Sequence, residues 1–240
     1  MKPGMTAKSW AGAMLICIPD ILSAEEIREF RAALADARWV DGRETAGAQS
    51  AQAKRNLQLA EGSGEAKMLG ERVLTALSQS ALFVSAALPL KIFPPLFSRY
   101  EPGHEFGVHV DNAVRAVKGA IFRMRTDLSG TLFLSDPEEY DGGALVIEHG
   151  FGAQGIKLPA GHMVLYPSTS LHRVEAVTRG ERLVSFLWLQ SMVRDEGERT
   201  ILFDLDQSIQ ALAGDLGLNH PEVVRLSGVY HNLVRRWADA

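Results

Sequence analysis

Cysteine is almost absent from this sequence, since Cys17 is the single one among 240 residues. One thiol cannot form a disulfide within the chain, which excludes a small disulfide-stapled scaffold and agrees with a reducing compartment. Long hydrophobic runs are lacking as well, because no stretch approaches the roughly 18 apolar residues that a membrane-spanning helix requires. We therefore expect a cytoplasmic protein with no membrane partner.

An excess of positive charge is also missing. Lysine and arginine number 25 against 29 aspartate and glutamate residues, which gives a net charge of −4 and a pI near 6.0. Proteins that hold nucleic acid usually carry a basic surface, so we expect no nucleic-acid partner. With 46% hydrophobic and 22% charged residues, the composition is that of an ordinary globular protein with a sizeable core.

A short apolar run covers residues 11–18 behind Lys2 and Lys8, and two interpretations compete for it. A secretory signal contains such a run, but here Pro19 and Asp20 follow in place of a cleavage site with small residues. We therefore interpret the run as a first, buried strand.

Helix signals come next along the chain. Ser23 and Glu26 form a capping box, and the apolar spacing after them predicts a helix that ends near Trp39. The polar residues 42–58 carry no clear period and predict a loop, and a second helix is expected over residues 66–80.

Short apolar runs alternate with turn signals after Pro89, which is typical of strands in a sandwich or jelly roll. The predicted strands cover residues 91–99, 108–114, 125–134, 144–148, 155–158, 163–166, 173–177 and 182–190. From about Ile201 the pattern is helical again, and Pro221 opens a last helix with an apolar stripe from Val224 to Trp237. That stripe could serve a homodimer interface as well as the core.

These elements predict an α+β fold with a mainly β core and helices at both ends. We expect an N-terminal strand and helices over residues 1–90 that pack on the core, a β core over 91–190, and a C-terminal helical extension over 191–240.

The most informative pattern is the tripeptide His109-Val110-Asp111, with a second histidine, His172, farther along the β core. Residues i and i+2 of a strand point to one face, so His109 and Asp111 can reach the same metal ion. His172, on a strand expected to face them across the sandwich, would complete a set of two imidazoles and one carboxylate. That set is typical of non-haem Fe(II) sites with open coordination positions.

Arg182 comes ten residues after His172, on the predicted next strand, across a tight turn at Gly180. Its planar guanidinium suits bidentate binding of a carboxylate, so Arg182 is a candidate partner for the distal carboxylate of a 2-oxo acid co-substrate. Tyr100 is a candidate hydroxyl donor to the same co-substrate, and the serine and threonine side chains at 168–170 are further candidates.

Simpler explanations exist for each of these residues. A histidine-x-aspartate tripeptide arises often by chance, and a histidine in a strand is usually an ordinary core or surface side chain. A single arginine such as Arg182 is more often exposed. The acidic residues at 136–141 could bind a cation, but such a cluster is commonly a solvated turn. Spacing alone leaves the metal site and these alternatives open.

Longer segments give the sequence a resemblance to a known family. The segments around the tripeptide, His172 and Arg182 are similar to the bacterial PKHD-type hydroxylases, which are prolyl-hydroxylase-like Fe(II)/2-oxoglutarate-dependent dioxygenases. The similar segments are residues 41–47, 99–115, 127–135, 140–143, 158–161, 164–174, 177–182, 188–194 and 230–239. The resemblance covers nearly the whole chain from about Met14.

The resemblance implies a double-stranded β-helix, a distorted jelly roll, flanked by helices. It also implies that His109, Asp111 and His172 bind Fe(II), that Arg182 binds 2-oxoglutarate, and that L-ascorbate is a reductant. The expected reaction uses O2 to convert 2-oxoglutarate to succinate and CO2 while a small-molecule or peptide substrate is hydroxylated. A prolyl peptide or a siderophore-related molecule would suit the family, but no residue dictates either.

Two competing functions are open at this point. A metal hydrolase could use the same three ligands, although no obvious glutamate base stands beside them and Arg182 would have no role. A non-catalytic module on the same fold could sense iron or 2-oxoglutarate, although a pure binding protein gains nothing from open coordination positions.

Overall fold

The computed structural model describes residues 15–45, 52–116, 121, 123–149 and 152–239. Its helices are α1 (Ala24–Ala35), α2 (Gly64–Gln79), α3 (Ala81–Ala87), α4 (Glu196–Leu216) and α5 (Pro221–Trp237). Its strands are β1 (Ile16–Ile18), β2 (Trp39–Asp41), β3 (Lys54–Arg55), β4 (Leu57–Leu59), β5 (Pro89–Ile92), β6 (Leu96–Tyr100), β7 (Glu105–His109), β8 (Val114–Ala116), β9 (Arg123–Arg125), β10 (Leu128–Phe133), β11 (Tyr140–Gly142), β12 (Leu145–His149), β13 (Gly152–Ile156), β14 (Met163–Pro167), β15 (His172–Val174), β16 (Val177–Gly180) and β17 (Arg182–Ser191). Short 3-10 helices cover Gly42–Thr45 and Pro137–Glu139.

Helix α1 begins where the sequence predicts. The backbone N of Glu26 donates to Oγ of Ser23 at 3.3 Å, and the backbone N of Ser23 donates to Oε2 of Glu26 at 2.8 Å, which are the reciprocal bonds of a capping box. The helix ends at Ala35 and not near Trp39. Trp39 instead begins β2, where it pairs with Leu59.

Two antiparallel sheets form the β core. The larger has the strand order β1-β14-β10-β17-β6-β4-β2, with β5 also paired to β17, and the smaller has the order β13-β12-β15-β7-β3. One core cluster joins Phe133 and Val184 of the larger sheet to Leu145 and Val174 of the smaller. The sheets therefore pack face to face as in a jelly roll, and the predicted α+β fold with a mainly β core flanked by helices is confirmed.

Strand β17 links the two layers of the protein because both of its faces are covered. Leu183, Leu187 and Leu189 belong to the apolar cluster that packs under α1, α2 and α3. On alternate positions, Arg182 and Trp188 mark the two ends of a face that lies between the sheets. A strand covered on both sides has a nearly continuous apolar sequence, which explains why this one is easily predicted.

The region 42–58 is not the loop that the sequence predicts. β3 lies within it and joins the smaller sheet beside β7, while β4 begins in it and joins the larger sheet beside β6. Both strands contain polar residues that are nevertheless buried, Lys54 in β3 and Gln58 in β4. The sequence pattern therefore did not predict these strands. Residues 46–51, within the same region, lie outside the described part of the chain.

The N-terminal third contributes directly to the β core. β1, β2 and β4 all belong to the larger sheet, and α3 is a further helix that the sequence did not predict. Residues 11–14 of the expected first strand lie outside the described residues, while Ile16–Ile18 form β1. The division at residues 90 and 190 stays a prediction.

Helices α4 and α5 pack on each other, and α4 also packs on α3. Leu202 of α4 shares an apolar cluster with Val193, just after β17, and with residues of α5. Pro221 occupies the first turn of α5 as predicted. Val224 is 59% exposed and Val223 is buried, so the predicted stripe is wrong at its first position. Among the residues described, no helix has both the length and the apolar character that crossing a membrane needs.

Candidate active site

Strands β7 and β15 bring the two predicted histidines together as neighbours in one sheet. His109 ends β7, His172 begins β15, and the two residues are paired across the strands. Their ring centroids lie 4.2 Å apart. The expectation that His172 faces His109 from the opposite layer is wrong, because both strands belong to the smaller sheet.

Asp111 lies just beyond the end of β7, and not within a shared strand as the sequence suggested. Its Oδ2 is 3.7 Å from Nε2 of His172. Ligand atoms of His109, Asp111 and His172 all lie within 4.8 Å of one another, and the three side chains are half-buried or buried. The three residues predicted from the sequence therefore form a group that could hold one metal ion.

Backbone carbonyls select the ring nitrogen that carries hydrogen in both imidazoles. Nδ1 of His109 is 2.8 Å from the carbonyl oxygen of Gly107, and Nδ1 of His172 is 3.0 Å from that of Ser170. A carbonyl oxygen can only accept, so each Nδ1 carries the hydrogen and each Nε2 keeps its lone pair for a metal. Burial, reinforced by the neighbouring His172, lowers the pKa of His109 to about 4, so its imidazole is neutral near pH 7.

Aromatic rings hold the two imidazoles in position. Phe106 stacks on His109 with ring centroids 3.6 Å apart and 19° between the ring planes. Tyr166 meets His172 edge-on, with centroids 5.2 Å apart. Both contacts restrict rotation of the imidazole rings and so help to keep the ligand atoms close together.

Two buried serines hold the carboxylate of Asp111. Oγ of Ser129, on β10, donates to Oδ2 of Asp111 at 2.7 Å and lies 2.7 Å from Oγ of Ser168. Since the single hydroxyl hydrogen of Ser129 goes to the carboxylate, Ser168 donates to Ser129. The sequence pointed to the segment 168–170 as a co-substrate contact, and missed Ser129 altogether because its partner is 18 positions away in an irregular segment.

Arg182 and Tyr100 are paired residues of β17 and β6, and both line the same cavity as the histidines. The side chain of Arg182 is only 1% exposed, and its guanidinium carbon lies 5.1 Å from the centroid of Tyr100 and 5.4 Å from that of Phe133. In the described part of the chain, Nε of Arg182 has no hydrogen-bond partner and no ion pair includes its guanidinium. A cation so deeply buried is costly unless a ligand supplies the anion.

The approach of the chain to Arg182 differs from the prediction. β16 intervenes between the strands of His172 and Arg182 and pairs with β11, and Arg182 opens β17 in the other sheet. Gly180 makes this turn with φ of 74°, and a Cβ there would lie 2.0 Å from the carbonyl oxygen of Glu139. Glycine is required at this point, so the turn fixes where β17 starts and where Arg182 enters the cavity.

The cavity lies between the two sheets and has mixed walls. Apolar side chains such as Leu145, Val174 and Val184 line it between the metal-ligand candidates and Arg182. Burial raises the pKa of Tyr100, so its phenol keeps the proton and can donate a hydrogen bond. Lys54 and Arg115 also line the cavity, and no sequence pattern pointed to either.

Two family profiles match this chain. The profile of the 2OG-Fe(II) oxygenase superfamily matches residues 95–190, which include the three metal-ligand candidates and Arg182. The profile of the PKHD-type hydroxylase C-terminal domain matches residues 196–239, which form α4 and α5.

Individual relatives extend this match over the chain. A PKHD-type hydroxylase of Methylobacillus flagellatus is 60% identical over 227 residues, which cover 95% of this chain and 100% of that protein. One of Burkholderia lata is 56% identical with the same coverage. A solved prolyl hydroxylase of Trichoplax adhaerens, in complex with a hypoxia inducible factor peptide fragment, shares the fold with a TM-score of 0.53 at 14% identity, covering 78% of this chain and 86% of that one. The chain therefore belongs to the PKHD-type hydroxylases of the 2OG-Fe(II) oxygenase superfamily and is a hydroxylase enzyme.

Proposed function

We propose that His109, Asp111 and His172 bind Fe(II), and that Arg182 binds the distal carboxylate of 2-oxoglutarate in the same cavity. The observation that carries this proposal is the buried guanidinium of Arg182, which has no counter-ion among the described residues. A dicarboxylic co-substrate supplies that missing anion at one end. Its other end, a keto oxygen beside a carboxylate, suits the open positions of a two-histidine, one-carboxylate site.

The residues present fit iron by their donor chemistry. Two imidazoles whose Nδ1 atoms face backbone carbonyls, together with one carboxylate, are the facial set of Fe(II) oxygenases. When bound, Fe(II) would supply the O2-dependent oxidation in which 2-oxoglutarate becomes succinate and CO2 and a substrate C–H bond gains a hydroxyl.

The protein's own side chains prepare this chemistry. The carbonyls of Gly107 and Ser170 fix the imidazole tautomers, and Ser129 fixes the carboxylate of Asp111. Arg182 orients the co-substrate from the far end, where the protonated phenol of Tyr100 can add a hydrogen bond to its carboxylate. The apolar wall between the two ends excludes water and strengthens each of these interactions.

The family resemblance also leads us to propose a reductant, a cellular compartment and a substrate class. L-ascorbate would serve as a reductant that restores the iron after unproductive cycles. The enzyme would work in the cytoplasm, which the single cysteine favours. The substrate would be a small molecule or a peptide, with prolyl peptides and siderophore-related molecules as the first classes to screen.

Anaerobic titration tests the metal and co-substrate together. Fe(II) and 2-oxoglutarate added to the metal-free protein should produce a weak visible charge-transfer band, which neither produces alone. Admission of O2 should then yield succinate and CO2, even without substrate. Absence of the band, combined with Zn(II)-supported hydrolysis, would favour a metal hydrolase. A band without any succinate would favour the sensing module.

A mass-spectrometric screen identifies the substrate. Peptides and siderophores are incubated with the loaded enzyme, and products are searched for the gain of one oxygen atom. A true product requires 2-oxoglutarate and is lost in His172→Ala.

A further inference from the structure

One face of β17 runs along the cavity from one end to the other. Arg182 and Trp188 stand six residues apart on this face, which is about 20 Å at the usual rise of a strand. Trp188 is paired with Ser129, whose hydroxyl holds Asp111. The metal-ligand candidates therefore lie near the Trp188 end of the cavity, which is the end away from Arg182.

Arg115 occupies this second end of the cavity. Its guanidinium carbon lies 3.8 Å from the ring centroid of Trp188 and 4.9 Å from that of Phe93. Stacking covers the flat face of the guanidinium and leaves its N–H edge for an acceptor. Within the described ranges, however, its buried Nε has no hydrogen-bond partner.

Lys54 brings a second cation to the same end. Its side chain is 5% exposed and lines the cavity, with Nζ 5.3 Å from the centroid of Phe106 and 5.7 Å from that of Phe186. Burial, followed by the nearby positive charge of Arg115, lowers the pKa of Lys54 to about 8. Lys54 is buried and Arg115 is half-buried, and two cations that repel each other in this way form a favourable site for an anion between them.

Carboxylates of the protein already act on these cations. Asp111 favours the protonated forms of both Lys54 and Arg115, Asp41 that of Lys54, and Glu61 that of Arg115. Asp41 is engaged in an ion pair of its own, and Glu61 is exposed. In the proposed function Asp111 serves a divalent metal, so metal binding adds positive charge at this end. An acidic group from outside the protein would restore the balance.

Resting on the proposed function, we propose that Arg115 and Lys54 bind a carboxylate of the substrate, whose apolar body packs against Phe186 and Trp188. The enzyme would then act on an organic acid or on a peptide that carries an acidic group. Two separate anion sites divide the cavity: Arg182 takes the co-substrate at one end, and Arg115 with Lys54 takes the substrate at the other. The bond to be hydroxylated lies between the acid and the metal.

Matched acid and amide probes test this assignment by calorimetry. The protein is loaded anaerobically with Mn(II) and saturated with 2-oxoglutarate. It is then titrated with 3-phenylpropionate, N-acetyl-phenylalanine and the uncharged amide of each. We expect each acid to bind at least about tenfold more tightly than its amide, because a charged hydrogen-bond pair is worth well over 1.4 kcal/mol in a buried site.

Substitutions show which residues cause the preference for the acid over the amide. Arg115→Met and Lys54→Met should each reduce the acid-to-amide ratio several-fold, and the double variant should bring it close to one. Arg115→Lys should retain part of it, since the charge is kept but the planar fork is lost. Arg123→Met is the matched control, because this exposed arginine stands on β9, the strand paired with that of Arg115, and should leave the ratio unchanged.

Several outcomes would overturn the inference. Equal binding of acid and amide, no binding of any acid, or an unchanged ratio in both Lys54→Met and Arg115→Lys would each reject it. So would a loss of 2-oxoglutarate affinity in Arg115→Met, which would assign this arginine to the co-substrate. Failure of the native protein to bind 2-oxoglutarate at all rejects the proposed function first, and is measured in the same titration before any probe is added.

Discussion

The hydroxyl of Ser129 donates a hydrogen bond to the carboxylate of Asp111, with 2.7 Å between Oγ and Oδ2. This bond crosses from β10 of the larger sheet to the irregular segment after β7 of the smaller one. It therefore fixes the one metal-ligand candidate that no strand holds. A carboxylate held in this way would be positioned to bind a metal together with the two imidazoles.

Ser129→Ala should weaken metal binding while leaving the fold intact. Removal of a hydrogen bond that orients a ligand typically lowers metal affinity about 10–100-fold. Competition between the protein and a chelator, with Fe(II) or Mn(II) under anaerobic conditions, measures this affinity. Ser185→Ala is the control, because Ser185 is equally buried but donates to the carbonyl of Leu96 outside the site. Equal metal affinities in the two variants would show that Ser129 does not position Asp111.

Arg182→Met should weaken 2-oxoglutarate binding without lowering the stability of the metal-free protein. Loss of a buried charged partner would lower 2-oxoglutarate affinity by about 2–5 kcal/mol, or about 30-fold or more. The metal-free variant should unfold at the same urea concentration as the native protein or at a higher one, because an uncompensated buried cation is replaced by an apolar side chain.

Arg179→Gln provides the comparison for Arg182. Arg179 stands three residues before Arg182, is exposed and pairs with Asp141, so its loss should alter neither 2-oxoglutarate affinity nor stability by more than about 0.5 kcal/mol. Normal co-substrate affinity in Arg182→Met would remove this residue from the proposed site.

The sequence singles out the metal-ligand candidates and Arg182, although their spacing alone left other interpretations open and the family resemblance was needed to choose. His109 and His172 stand at strand ends, Arg182 opens a strand that is buried on both faces, and Asp111 follows His109 closely enough to be found with it. The spacing does not reveal which strands are neighbours. That depends on register across 60 residues or more, and the two histidines proved to be partners in one sheet.

The remaining site residues have no local pattern to reveal them. Lys54 lies in a two-residue strand within a polar region, and Ser129 is one of many serines. Arg115 comes from a short ribbon of β8 and β9 outside both main sheets. Each gains its role from a partner far away in the chain, such as Trp188 for Arg115. Only the packed structure brings these pairs together.

Gly180→Ala should destabilise the protein and weaken co-substrate binding together. A residue with a side chain resists φ of 74°, and the new Cβ would lie 2.0 Å from the carbonyl oxygen of Glu139. We expect a loss of about 2 kcal/mol or more in the free energy of unfolding. Because the turn must shift, Arg182 should move as well, and 2-oxoglutarate affinity should fall in the folded protein.

Gly214→Ala supplies the matched control for this glycine. Gly214 lies within α4, and a Cβ there would meet nothing within 4 Å. The substitution should raise stability by about 0.5–1 kcal/mol through better helix propensity and leave co-substrate affinity unchanged. A Gly180→Ala protein as stable as the native one would show that this turn does not require glycine.

Lys54→Met should stabilise the metal-free protein near neutral pH, with a gain that vanishes as pH rises. The pKa of Lys54 is about 8 when folded against 10.5 for an ordinary lysine. Below pH 8 the lysine is charged in both states, and the buried charge costs the native protein about 3 kcal/mol. Between pH 8 and 10.5 the unfolded chain holds more protons than the folded one, so native stability rises with pH relative to the variant.

Urea unfolding at about pH 7 and pH 10 measures this pH-dependent difference in stability, and exposed Lys67→Met is the control. A constant difference between native protein and Lys54→Met at both pH values would contradict the prediction. Such a residue lowers the stability of the empty protein, which is the expected cost of a cation kept for binding an acid.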